Sequence, residues 1–300
     1  MTASLRLGTR GSPLALAQAA MVTAALAAHG TACETVVVTT TGDRVQDRPL
    51  AEIGGKALWT KELDAALADR RIDLAVHSMK DVETTLASHV ALAAMLPRAD
   101  VRDRLIGASS LASLPEGARV GTSSPRRAAQ LLSIRPDLRI EMLRGNVATR
   151  LGRIAAGDFD ATLLAAAGLE RLGMSDGVPL EIEDWLPAPA QGAVGIAIRA
   201  GDVATAELVE TIDHAETHAA VLLERGFLAA LVADCHSPVA ALARVTGERV
   251  TFTGEIIAED GRERQRGSVE STRGLAATAV ADLAVDLLAR ASPRLRAQFG

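Results

Sequence analysis

Tyrosine is absent from this 300-residue chain, and four phenylalanines and two tryptophans are its only aromatic residues. Without stacking side chains there is no platform for unstacked bases, so a reader of single-stranded nucleic acid is disfavoured. Cysteine is nearly as scarce. Cys33 and Cys235 lie far apart, which gives neither a disulfide framework nor metal-ligand spacing and fits a reducing, cytoplasmic setting without a bound metal. No run of eighteen apolar residues occurs, so no membrane span is expected. The stretch from Leu14 to Ala28 has the look of a signal-peptide core, but Gln18 interrupts it and Ser12-Pro13 before it is a cap and first-turn pair, so it reads as a helix. Lysine is almost missing: of 32 basic residues only Lys56, Lys61 and Lys80 are lysines, and the other 29 are arginine. With 37 acidic residues the formal charge is -5, so no global positive field collects phosphate polymers and any anion site must be local.

What is present is a globular composition, 48% hydrophobic and 23% charged, enough for two or three domains. Short β-branched runs (Val36 to Val38, Asp73 to Val76, Arg119-Val120, Ala161 to Leu164, Val194 to Ile198) alternate with Ala/Leu-rich helical windows, the pattern of an α/β fold. After about residue 215 the order changes. A helix near Thr217 to Val232 is followed by extended segments Ala240 to Val245 and Arg249 to Ala258, then a helix from about Gly274 to Arg290, which reads as a smaller α+β domain. Leu7-Gly8-Thr9-Arg10-Gly11-Ser12-Pro13 and Val120-Gly121-Thr122-Ser123-Ser124-Pro125 share one layout and imply two similar α/β halves. In each, a Ser cap starts a helix at a strand's carboxyl end, where open parallel sheets bind ligands.

Beside the second copy stand Arg126 and Arg127, and further on Leu143-Arg144-Gly145-Asn146-Val147-Ala148-Thr149-Arg150. Positive charge at a helix N-terminus opposes the macrodipole, and a nearby anion reverses that sign. Guanidinium forks bind carboxylates in pairs of charge-assisted bonds, so a polycarboxylate is the expected ligand. Phosphate is less favoured, since neither a Walker loop nor G-x-G-x-x-G occurs. Asp73 to Asp81 begins as a buried strand and ends in polar residues, which puts Lys80 and Asp81 at a strand terminus; alone, Asp81 also reads as a helix cap. Cys235, flanked by Asp234 and His236, is either an inert thiol or a reactive one assisted by its neighbour. Cys33 reads as packing, and His77, His214 and His218 as structural.

Taken together, Thr9-Arg10-Gly11-Ser12-Pro13-Leu14-Ala15-Leu16, Gly54-Gly55-Lys56, Val76-His77-Ser78-Met79-Lys80-Asp81, Gly121-Thr122-Ser123-Ser124, Leu143-Arg144-Gly145-Asn146, Ala167-Gly168-Leu169-Glu170-Arg171-Leu172 and Gln191-Gly192-Ala193 resemble the porphobilinogen deaminase (hydroxymethylbilane synthase) family, in order and across essentially the whole chain. The resemblance implies a transferase that joins four porphobilinogen molecules head to tail, releases ammonia at each step and hydrolyses off hydroxymethylbilane for tetrapyrrole and haem synthesis. It also implies a covalent dipyrromethane cofactor on a thioether, with Cys235 at the matching position. Asp81 matches the catalytic aspartate, which stabilises the cation left when porphobilinogen loses its amine.

By the same matching, Ser78, Lys80, Thr122, Ser124, Arg126, Arg127, Arg144, Gly145, Asn146 and Arg150 are expected to bind cofactor or substrate carboxylates. Arg10, Ser12 and Gln18 are expected as first-domain substrate contacts, with Arg171 and Gln191 secondary. Lys56 and Trp59 fall in a Gly-rich stretch, Gly42 to Lys61, that reads as a lid. Three departures stand out: Pro125 where Leu is frequent, Trp59 where Phe is frequent, and Asp234 where the family usually has Gly before the cysteine.

The implied fold is two domains like those of two-domain periplasmic binding proteins, 1–96 with 191–212 and 97–190, plus an α+β domain at 213–300 carrying the cysteine, in a monomer. Two other readings use the same sequence. A non-catalytic carboxylate binder on the two-lobed fold needs neither Asp81 nor a thiol. A Ser-His-Asp esterase lacks the G-x-S-x-G elbow.

Overall fold

The computed structural model describes residues 4–39 and 60–299; the expected lid residues Lys56 and Trp59 lie outside them. The first strands and helices follow the hydrophobic pattern closely. β1 (Leu5–Thr9) leads into α1 (Pro13–Ala28), β2 (Cys33–Val37), α2 (Lys61–Ala68), β3 (Leu74–Ser78), a single 3-10 turn Met79–Asp81, and β4 (Val90–Met95). There follow β5 (Asp103–Ile106), β6 (Arg119–Gly121), α3 (Pro125–Ile134), β7 (Arg139–Glu141), α4 (Val147–Ala155), β8 (Ala161–Ala165), α5 (Ala166–Arg171) and β9 (Val178–Pro179). The last stretch holds β10 (Val194–Arg199), α6 (Val203–Glu210), α7 (Ala215–Ala230), β11 (Val239–Thr246), β12 (Arg249–Ile257), β13 (Arg264–Thr272), α8 (Ala276–Arg290) and α9 (Pro293–Arg296).

These strands form two five-stranded sheets, β2-β1-β3-β10-β4 and β7-β6-β8-β5-β9, and a three-stranded antiparallel sheet β11-β12-β13. The two larger sheets share one plan. In each, three parallel strands are followed by one antiparallel strand, β10 or β5, that separates them from the outermost strand. β5 opens its sheet just after the chain leaves the first sheet, and β10 completes the first sheet after the chain returns. The duplicated layout seen in the sequence is thus a duplicated topology, with both Ser-Pro turns at carboxyl ends of parallel strands.

Each helix start has its local cause. Ser12 Oγ accepts from the Ala15 amide at 3.3 Å, and Ser124 Oγ from the Arg127 amide at 3.4 Å, with Pro13 and Pro125 in the first turn; Pro suits that position because its missing N–H is one the helix leaves unbonded. Asn146 caps α4 through the Thr149 amide.

The described chain divides into two compact units, one of residues up to Ala99 with Ala193–His218, the other Asp100–Gly192 with the residues from Ala219 onward. In the first unit β3 is buried on both faces. Leu74 and Val76 pack with Leu7, Val22, Leu26, Val194 and Ile196, whereas Ala75 faces Leu63, Leu67 and Ile72. In the second unit Leu105, Val120, Leu131, Leu163 and Trp185 form one core and Phe227, Phe252, Val280 and Leu287 another. Leu186, Ala240 and Leu242 join them, with Val101 and Ile182 against that cluster.

Candidate active site

In the first unit the buried strand β3 delivers its polar end residues to a pocket of about 450 Å³, counted out to its solvent opening. Arg10, Ser12, Gln18, Ser78 and Asp81 line it together with Thr60, His77 and Val82. Gln18 is buried on α1 and hydrogen-bonds Ser78 at 2.8 Å, which ties the helix following β1 to the end of β3. The 3-10 turn is anchored beneath by Met79, 1% exposed, whose backbone amide donates to the Ala193 carbonyl at 3.1 Å. A Cβ on Gly195 of β10 would stand 2.2 Å from the Met79 sulfur, so the bare glycine makes room for the anchor. Lys80, half-buried, and Asp81, exposed, follow on the same turn. Five of the residues expected from sequence thus meet in one pocket, and Lys80 adjoins it.

In the second unit Arg126 and Arg127 are 3% and 6% exposed. The anion demanded by two arginines at a helix N-terminus is supplied within the chain. Asp103, fully buried at the start of β5, accepts from Arg126 Nη2 at 2.8 Å, from Arg127 Nη2 at 2.7 Å and Nε at 3.2 Å, from Trp185 Nε1 at 2.9 Å and from Gln191 Nε2 at 2.9 Å. Burial opposes its ionisation, but the two guanidiniums and the donated hydrogen bonds outweigh it and hold the carboxyl well below the usual range. One carboxylate therefore serves two cations, which leaves the cluster one positive charge in excess. Arg126 Nη1 also donates to Gln130 Oε1 at 2.8 Å, while its buried Nε has no partner among the described residues. Arg171 donates from Nη2 to the Gly192 carbonyl at 2.6 Å, and its Nε too is buried without a partner there. Burial pulls both guanidiniums down from their ordinary value.

The other expected residues of this unit gather at two turns. Thr122 Oγ1 accepts from the Ser124 amide at 3.1 Å. Arg144, Gly145 and Asn146 form the turn into α4, and Arg150 Nε donates back to the Gly145 carbonyl at 2.9 Å. Gly145 has φ +111°, and a Cβ there would lie 2.7 Å from Thr149 Cγ2, so this turn demands glycine. Sequence reasoning missed Asp103, Trp185, Gln130 and Glu255, which organise the arginines. The available signal was Asp103, whose period-2 neighbours Val101 and Leu105 are apolar, as expected of a buried strand position.

Cys235 is exposed and Cys33 only half-exposed, with burial pushing the Cys33 thiol up, which suits a packing thiol rather than a reactive one. The loop before Cys235 needs no glycine at 234. Helix α7 ends with the Ala233 amide bonded to the Leu228 carbonyl and the Val232 amide to Ala229, and the left-handed residue is Val232 at φ 53°. That is the usual terminal motif with valine in the glycine place. Asp234 instead accepts the His236 amide on Oδ1 at 2.9 Å, and its own amide donates to Ser237 Oγ at 3.2 Å.

Residues 5–207 match the family model described as porphobilinogen deaminase, dipyromethane cofactor binding domain, and residues 218–289 match its C-terminal domain. A porphobilinogen deaminase of Sphingopyxis alaskensis is 57% identical over 98% of this chain and 96% of the relative, and one of Nitrobacter winogradskyi is 48% identical over 98% and 95%. Among solved structures, a nutrient binding protein from Burkholderia cenocepacia bound to methionine is similar at 16% identity and TM-score 0.44, over 71% of this chain and 93% of that one. With both family models matched in order and relatives this similar along nearly its whole length, the chain belongs to the porphobilinogen deaminase family.

Proposed function

We propose that this chain joins four porphobilinogen molecules head to tail with loss of ammonia at each step and releases linear hydroxymethylbilane by hydrolysis, acting as a monomer in the cytoplasm on free porphobilinogen and water. The observation that carries the reading is the pocket in which the Asp81 carboxylate stands among Arg10, Ser12, Gln18 and Ser78. As ammonia leaves porphobilinogen, positive charge spreads over the pyrrole and its exocyclic carbon. A fixed carboxylate beside that charge lowers the barrier, because it is more strongly attracted to the cation than to the neutral ring. Asp81 also accepts and returns protons at its carboxylate oxygens, while the Gln18 to Ser78 bond keeps neighbouring polar groups in place.

The family's dipyrromethane fits the residues present. Arg126 and Arg171 each hold a buried Nε donor without a partner among the described residues, which suits a group rich in carboxylates, and Cys235 offers an exposed thiol. In this reading Cys235 carries the group, while Thr122, Ser124, Arg126, Arg127, Arg144, Gly145, Asn146, Arg150 and Arg171 hold carboxylates of the oligopyrrole, with Gln191 in support through Asp103 and Lys80 beside Asp81. When bound, the group supplies the pyrrole carbon to which each new unit is joined.

Intact mass and turnover on the purified enzyme test this together. The wild-type protein should weigh more than its sequence by a two-ring unit, and Cys235→Ser should lack that excess. Asp81→Asn should keep the excess but lose turnover by roughly two to three orders of magnitude. A wild-type mass equal to the sequence, or an Asp81→Asn enzyme turning over normally, would refute the proposal.

A further inference from the structure

We propose that Gln130 and Glu255 are positioning residues for Arg126, holding its guanidinium so that the buried Nε–H is kept without a partner among the described residues and available to pair with a carboxylate of the oligopyrrole, and linking that orientation to the sheet that follows Cys235. This rests on the reading of Arg126 as a carboxylate donor.

Glu255 lies on β12, fully buried, and is paired across the sheet with Ala240 of β11, the strand that follows the Cys235 loop. Its two oxygens have separate duties. Oε2 accepts from Arg264, Nε at 2.8 Å and Nη2 at 2.7 Å, and Oε1 accepts from Gln130 Nε2 at 3.2 Å. Gln130, 1% exposed on α3, also donates from Nε2 to the Leu186 carbonyl at 3.0 Å and turns Oε1 to Arg126 Nη1 at 2.8 Å. With Nη2 on Asp103 and Nη1 on Gln130 and the Leu186 carbonyl, the guanidinium is fixed on one side only. Its Nε is the donor left over.

A glutamine amide has one donor end and one acceptor end, so whatever faces one end decides what the other presents. Glu255 and the Leu186 carbonyl are both acceptors, and they draw the amide nitrogen toward themselves. The oxygen must then face Arg126. If residue 255 were glutamine, Arg264 would claim its oxygen and its NH2 would meet the NH2 of Gln130. That clash favours a flipped Gln130, which would set a donor against Arg126 and displace the guanidinium. Buried polar chains of this kind act as a unit, because an unmet group in a low-dielectric interior is far less favourable than one in water.

The test is a double-mutant cycle on the holoenzyme with Glu255→Gln, Arg126→Lys and both together. Gln130→Met serves as a second break in the chain that leaves the buried charges unchanged. Loading is read by intact mass, folding by melting temperature, and binding against chemistry by KM and kcat for porphobilinogen. Each single variant should raise KM about tenfold with kcat changed by less than about threefold, the pattern of lost uniform binding. In the Arg126→Lys background, Glu255→Gln or Gln130→Met should add less than about twofold, since their effect runs through Arg126.

Effects that multiply in the double variants, or an unaltered KM in both Glu255→Gln and Gln130→Met, would overturn the inference and leave the reading of Arg126 standing. An unaltered KM in Arg126→Lys would overturn that reading and this inference with it.

Discussion

Asp103 and Asp64 show how burial acts on a carboxyl with and without cations beside it. Asp103 meets two guanidiniums and stays ionised far into acid. Asp64, on α2 in a small pocket with Thr60, His77, Val82 and Glu83, has no such pair at hand in that lining. Burial pushes it up to about 6, with His89 opposing and the Glu83 carboxylate adding to the rise. The folded chain therefore holds an extra proton between the unfolded value of about 4 and about 6. Stability from this group is present at low pH and is lost as pH rises through the folded value. Asp64→Asn, neutral throughout, should melt close to the wild type at and below pH 4, increasingly above it as pH rises from about 4 to about 6, and by a constant margin at higher pH. Melting temperatures of both proteins across this range decide the matter, since a gap independent of pH would mean that Asp64 ionises alike in both states.

Single elements show where local signals and tertiary context part. Val232 ends α7 in the left-handed region and is 72% exposed, so nothing is gained from its packing to offset the strain of a branched Cβ there. Val232→Asn should stabilise the protein by about 1 kcal/mol, because Asn tolerates this conformation; a denaturant midpoint that is unchanged or lower would show that the valine makes contacts worth as much. The helix ends at Ser12-Pro13, Ser124-Pro125 and Asn146 were legible because capping is local, and β3, β8 and β10 because strands buried on both faces read as apolar runs. β13 was not legible. Arg-Gln-Arg-Gly-Ser-Val-Glu-Ser-Thr has one large apolar residue, and only pairing along β12 makes it a strand. The same limit hid the arginines' partners. Arg126 and Arg127 announce a need for negative charge, but Asp103 answers from another strand, and sequence spacing holds no trace of that contact. Arg10, Ser12, Gln18, Ser78 and Asp81 were drawn together by motif matching, and the path of β1, α1 and β3 is what brings them to one pocket.

For the whole molecule the family resemblance implies three domains with a boundary at 213, and the order of elements in the sequence changes from α/β to α+β after about 215. By their contacts, Asp100–Gly192 and the residues from Ala219 onward pack as one compact unit. The joining side chains, Leu186, Ala240 and Leu242 with Val101 and Ile182, look like ordinary core in any sequence window. Backbone bonds add to them, since the Ala241 amide donates to the Pro187 carbonyl at 3.1 Å and Arg266 Nη1 to the Glu183 carbonyl at 2.7 Å. Breaking this junction would part Gln130 from Glu255 and uncover the apolar side chains around them, so opening either sheet alone forfeits both contributions. The expected behaviour is one cooperative block. Native-state hydrogen exchange under rising denaturant should bring the amides of β6 and β12 into a single opening with free energies within about 1 kcal/mol of each other. Gln130→Met should lower both by the same amount. A β12 that exchanges through a separate opening, unaffected by that substitution, would show that the C-terminal sheet unfolds on its own and that the buried bonds across the junction contribute nothing to holding it.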